Sequence, residues 1–134
     1  MVSYLVKYIL VCLLLTEILE LGIIKVLGVK NKKNFLVIFL INVVTNLILS
    51  YITFLLSVYK NISFYDYVFM AEITIIVVEG IMLDNHFDYE AEDFFINKIT
   101  KNKKLKSMIF SVIINIISIV IGSAIVQIVN LFNF

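Results

Sequence analysis

Long apolar runs broken by short polar connections dominate this chain. Four stretches, 4–27, 35–59, 64–83 and 105–132, are apolar enough and long enough to be read as membrane-spanning helices, each needing roughly 20 residues to cross the hydrocarbon layer. They consume most of the sequence, so one integral membrane domain covering 1–134 is expected, all-α, with four transmembrane helices. Only the connection between the third and fourth stretches is long. Within 86–100, Phe87, Ala91, Phe94, Phe95 and Ile99 recur at helical spacing, which predicts a short amphipathic helix at the membrane interface. The plainer alternative is a charged, solvated connector.

The few polar positions inside the runs are ordered. Placing Asn42 of the second stretch over Asn115 of the fourth brings Thr45 over Ser118 and Ser50 over Ser123. The flanks Ile41-Asn42-Val43-Val44 and Ile114-Asn115-Ile116-Ile117 match in character. In the odd stretches Glu20-Leu21-Gly22-Ile23 is echoed by Glu79-Gly80-Ile81, with a gap of one residue. A duplicated helical hairpin accounts for both echoes. Two helices per unit return the chain to the same side, so the copies would be parallel and related by an axis along the membrane normal.

Depth and helical face sharpen this picture. At about 1.5 Å of rise per residue, Glu20, Asn42, Glu79 and Asn115 fall roughly 6–8 Å to one side of mid-span. Glu17, Asn46 and Glu72 fall within about 3 Å of the middle, with Ser118 close to them. Thr16, Glu17 and Glu20 share one helical face, as do Asn42, Thr45, Asn46 and Thr53, then Glu72 and Glu79, and finally Ser111, Asn115, Ser118 and Gly122. Four such stripes are expected to meet in the middle of a bundle. An ionised side chain facing lipid there would cost at least about 2.5–3.5 kcal/mol.

Composition supports the same class. Hydrophobic residues make up 62% of the chain and charged ones 16%, and the mean hydropathy is +1.06. That balance excludes a disordered chain, a nucleic-acid binder and an ordinary soluble enzyme. The single cysteine excludes an intramolecular disulfide framework. Proline is absent, so no helix is interrupted by a ring, while Gly22, Gly80 and Gly122 offer places for close helix contact. Abundant Ile, Phe, Tyr, Asn and Lys suggest AT-rich codons and hence a bacterial source. Glu17 and Glu20 follow the first apolar stretch without a small-residue cleavage site, so that stretch is read as a retained span rather than a signal peptide.

Lysines set the expected orientation. Lys25, Lys30, Lys32 and Lys33 lie at the first connection, and Lys98, Lys101, Lys103, Lys104 and Lys106 at the third, against only Lys7 and Lys60 on the opposite side. Lysine-rich short loops stay in the cytoplasm. The protein is therefore expected in a bacterial inner membrane, with both termini outside.

The candidate chemistry rests on Glu17, Glu20, Glu72 and Glu79 as cation- or proton-binding groups, supported by Asn42, Thr45, Asn46, Asn115 and Ser118. Four carboxyls without a lysine at their depth cannot all stay ionised. Neighbouring acids must share protons, or a bound cation must supply the missing charge. Oxygen donors of this type suit protons, Na⁺, Ca²⁺, Mg²⁺ or Mn²⁺ rather than a soft metal. A lone histidine, His86, is weak evidence for a metal site with Asp84 and Asp88. No His-Glu-x-x-His helix or glycine-rich phosphate loop is present, so catalysis is not expected. A transporter of a small cation or protons is the leading expectation, working as a homodimer or a larger assembly because four helices leave a narrow lumen. The alternatives are asparagines that merely bond protonated glutamates and hold the bundle together, a non-catalytic subunit whose polar faces meet another membrane protein, and an intramembrane metal-dependent enzyme.

Overall fold

The computed structural model describes the backbone over residues 2–59, 64–93 and 95–132, and side chains over 6–7, 10–11, 13–52, 55, 69–93, 95–125 and 127–128. Lys60, the side chain of Thr53 and Phe94 lie outside the described residues. Four long helices, α1 (Val2–Val26), α2 (Lys32–Tyr59), α3 (Phe64–His86) and α5 (Lys103–Phe132), are joined by a short α4 (Ile96–Ile99) before the last. Among the described residues there are no strands. Among the described residues, two helices are long and apolar enough to cross a membrane, over Lys32–Ile52 in α2 and Lys103–Ile125 in α5. All four candidate glutamates ride on the other pair, α1 and α3.

Each long helix packs on two others in the ring order α1, α2, α3, α5. Among the described residues the backbones of α1 and α3 do not come close to one another, nor do those of α2 and α5. The acid-bearing helices are thus diagonal to one another, and so are the amide-bearing ones. Of the glycines inside the long helices, Gly80 serves a close approach. A Cβ on Gly80 would run into the Met108 sulfur on α5, whereas Gly22 and Gly122 have open space around them.

Helix ends follow from local chemistry. Gly28 has φ 97°, the left-handed conformation that glycine takes without a Cβ penalty. Its N–H bonds Lys25 O at 3.2 Å and the Val29 N–H bonds Ile24 O at 3.1 Å, the paired bonds of a Schellman cap. Val29 and Ile24 are both buried in the core, supplying the apolar contact that accompanies this cap. Asn31 Oδ1 accepts from the N–H of Lys33 at 2.8 Å and of Asn34 at 3.4 Å, starting α2. Asn102 Oδ1 accepts from the Leu105 N–H at 3.3 Å and does the same for α5. These are asparagine N-caps, each satisfying donors that the helix leaves free.

The segment between α3 and α5 departs from expectation. A helix is present there, but it is confined to Ile96–Ile99 instead of running through 86–100. Its polar side chains bond backbone groups, which competes with helix formation. Asp88 Oδ1 accepts from the N–H groups of Glu90 and Ala91, and Asn97 Nδ2 donates to Tyr89 O and Glu92 O. The segment is solvated on one side and anchored on the other. Phe87, Tyr89, Glu92 and Ile96 are buried, and the Phe87 ring lies 4.6 Å from that of Tyr89 and 5.4 Å from that of Phe110 between centroids.

Glu92 binds the two connections together. Its Oε2 accepts from the Lys30 N–H at 2.9 Å, and its Oε1 from the Asn31 N–H at 2.9 Å and Asn34 Nδ2 at 3.1 Å. Asn34 completes the clasp by donating from Nδ2 to Asp88 O at 2.7 Å and accepting from the Asp88 N–H at 2.9 Å. Beneath it lies the apolar core, including Ile24, Ile38, Leu83, Phe87, Phe110 and Ile114. Farther along the bundle axis the interior turns polar.

Candidate functional site

The polar stripes do converge. Glu17, Glu20, Asn42, Thr45, Glu79 and Asn115 are each no more than 5% exposed. Large apolar side chains such as Leu14, Ile18, Leu47, Ile81, Ile116 and Val120 are exposed on the outside. Polar inside and apolar outside is the reverse of a water-soluble bundle.

Glu79 on α3 is the best-bonded acid. Its Oε2 accepts from Asn115 Nδ2 on α5 at 2.5 Å, and its Oε1 lies 2.9 Å from Thr45 Oγ1 on α2. Asn115 is held in turn, donating its second amide hydrogen to Ser111 O at 2.9 Å. That bond fixes the amide orientation, because a flip would set two acceptors against each other. Ser111 Oγ donates to Ile76 O at 2.8 Å, tying α5 to α3 one turn away. Thr45 Oγ1 also lies 3.0 Å from Ile41 O and 3.2 Å from Asn42 O. A hydroxyl has one hydrogen, so Thr45 chooses among these acceptors.

On the diagonal helix, Glu20 lies near Ser118 of α5. Its Oε2, both carboxyl oxygens of Glu17 and Asn42 Nδ2 are buried without a hydrogen-bond partner among the described residues. Glu79 interacts electrostatically with Glu17 and Glu20, and Glu72 with Glu20 and Glu79. Glu17, Glu20 and Glu79 are thus buried in the same bundle interior, while Glu72 is half-buried.

Below Glu79 a cavity of about 270 Å³ lies among all four long helices. Its polar lining is Thr16 and Glu20 from α1, Asn46 from α2, Glu72 from α3, and Asn115 and Ser118 from α5. Glu72, Asn46 and Ser118 are half-buried because they face this space. Of the candidate residues, Glu20, Asn46, Glu72, Asn115 and Ser118 line this cavity, whereas Glu17, Asn42, Thr45 and Glu79 are buried and are not on its wall.

His86 is exposed, and among the described residues no three His, Cys, Asp or Glu side chains group closely enough to hold a metal ion. Sequence reasoning missed the Glu92–Asn34–Asp88 clasp. The asparagines at the start of α2 were the one signal for it, since Asn34 stands where a helix start needs acceptors. No protein-family model matches this chain, and no curated protein or solved structure matches it.

Proposed function

We propose that this is a membrane protein of four spanning helices whose buried glutamate–amide centre binds and transports a small cation or protons. The observation that carries the reading is the convergence of Glu20, Asn46, Glu72 and Asn115 on one cavity, with the buried Glu79 bonded to Asn115 behind its wall, in a bundle that exposes apolar side chains. Intramembrane acids are costly, and their default role is functional. The nearest lysine in sequence, Lys25, is exposed at the end of α1 and leaves the centre without a built-in counter-charge.

A duplicated hairpin explains the bonding pattern. Exchanging α1 with α3 and α2 with α5 preserves the ring order. The exchange maps the Thr45–Glu79 bond onto a Ser118–Glu20 pair, and Ser118 and Glu20 share the wall of the cavity. It also turns the Asn115–Glu79 bond into an Asn42–Glu20 pair, whose two atoms are the unpartnered Asn42 Nδ2 and Glu20 Oε2. In this reading the lysine-rich connections face the cytoplasm of a bacterial inner membrane, both termini lie outside, and a homodimer completes the pathway.

Ion flux into proteoliposomes tests the proposal. Wild-type protein is expected to conduct, and the double variant Glu20→Gln/Glu79→Gln to reduce the rate to that of empty vesicles. An unchanged rate in the double variant removes the transport claim.

A further inference from the structure

Hydrogen-bond geometry around Glu79 distinguishes its two carboxyl oxygens. Oε2 faces an amide donor, Asn115 Nδ2, whose other hydrogen is committed to Ser111 O. It can only accept, whatever the charge state. Oε1 faces Thr45 Oγ1, a group that both donates and accepts. When Glu79 is ionised, the Thr45 hydrogen points to Oε1. When Oε1 carries a proton, that proton goes to Thr45, and the Thr45 hydrogen turns back to Ile41 O at 3.0 Å. Neither charge state leaves a polar atom of this trio unpaired, so the residue changes charge without breaking its pocket.

Glu20 is bonded differently. It lines the cavity, and its Oε2 lacks a partner while Asn42 Nδ2 lacks an acceptor. A bare metal cation would satisfy the carboxylate oxygen but not the amide hydrogen. A water molecule donates to a carboxylate and accepts from an amide, and the cavity that Glu20 lines has room for several at about 30 Å³ each.

We propose that the transported ion is the proton, that Glu79 carries it on Oε1 with Thr45 as the switching partner, and that Glu20 loads it from cavity water. This rests on the reading of the buried centre as a transport site. Loading breaks one O–H bond of hydronium, leaves water and forms the carboxylic acid of Glu20. Transfer to Glu79 forms one O–H bond on Oε1 and returns Glu20 to the carboxylate. The titratable groups facing Glu79 are Glu17 and Glu20 from α1 and Glu72 from its own helix. From α2 and α5 it meets the neutral Thr45 and Asn115.

The test uses purified full-length protein in liposomes, with proton flux read by an entrapped pH dye and sodium flux measured in parallel. Proton flux is expected in the wild type, lost in Glu79→Gln. In Thr45→Val it should fall at least about tenfold, the rate equivalent of one lost charge-assisted hydrogen bond. Thr45→Ser should stay close to wild type. Infrared difference spectra on a pH jump supply a second measurement. The carboxylic-acid carbonyl band lost in Glu79→Gln should shift in Thr45→Val and keep its position in Thr45→Ser. Full proton flux with an unshifted band in Thr45→Val overturns the carrier assignment and leaves the transport reading standing. So does glutamate-dependent sodium flux without proton flux. Absence of any glutamate-dependent flux removes the transport reading and this inference together.

Discussion

The Glu92 clasp can be tested without reference to transport. The Glu92 carboxyl is buried and accepts three N–H donors, from Lys30, Asn31 and Asn34. In Glu92→Gln the amide oxygen can take the place of Oε1 and keep two of them. Its NH₂ group then faces the Lys30 N–H, so one bond to a charged acceptor is lost, about 1.5–3 kcal/mol. Lys30 is exposed, and water at its N–H holds the cost near the lower figure. Glu92→Ala removes all three bonds and strands Asn34 Nδ2 with only Asp88 O, raising the loss to about 3–5 kcal/mol. Thermal unfolding followed by circular dichroism in detergent should rank wild type above Glu92→Gln and that variant above Glu92→Ala. A Glu92→Ala protein that melts with wild type, within about 0.5 kcal/mol, would refute the argument that this carboxyl holds the connections together.

Other expectations follow from single contacts. Gly80→Leu should push α3 away from Met108 and destabilise the bundle by about 1–3 kcal/mol, while Gly22→Leu should leave the melting curve unchanged. Burial, with a smaller contribution from the charge of Asp84, pushes the Tyr89 hydroxyl up to about 12, and its bond to Ser107 partly offsets the rise. The folded value lies above the unfolded one, so this stabilisation is whole below pH 10 and is lost as pH climbs to about 12. Melting points between pH 9 and 12 should therefore fall less steeply in Tyr89→Phe than in wild type. Asn115→Leu should cost about 0.6–1.7 kcal/mol in detergent, the range measured for hydrogen bonds between membrane helices, and should reduce Glu79-dependent flux.

Much of this architecture was legible because side chains repeat with the helical period. The stripes Glu17–Glu20, Asn42–Thr45–Asn46, Glu72–Glu79 and Asn115–Ser118 were placed by spacing alone, and all lie in the interior or on the cavity wall. Helix ends were less legible. Asn31 starts α2 at Lys32 rather than at residue 35, and α3 continues to His86 although the apolar run stops at Leu83. Hydropathy registers apolar surface and does not see caps. Which amide meets which acid was also hidden, because spacing fixes a face but not the rotation of one helix against the next. Glu92 shows the largest gap. In a run with Asp88, Glu90 and Asp93 it reads as solvated, and its burial depends on backbone donors about 60 residues away.

The division of labour among the helices bears on biosynthesis. The two segments that pass as spanning helices by apolarity, in α2 and α5, each come directly after an acid-bearing helix in the order of synthesis. If all four long helices span the membrane, as proposed above, entry as a hairpin with the more apolar helix behind it spares a glutamate helix from partitioning into lipid unaided, and in the α3–α5 pair it brings Glu79 to Asn115.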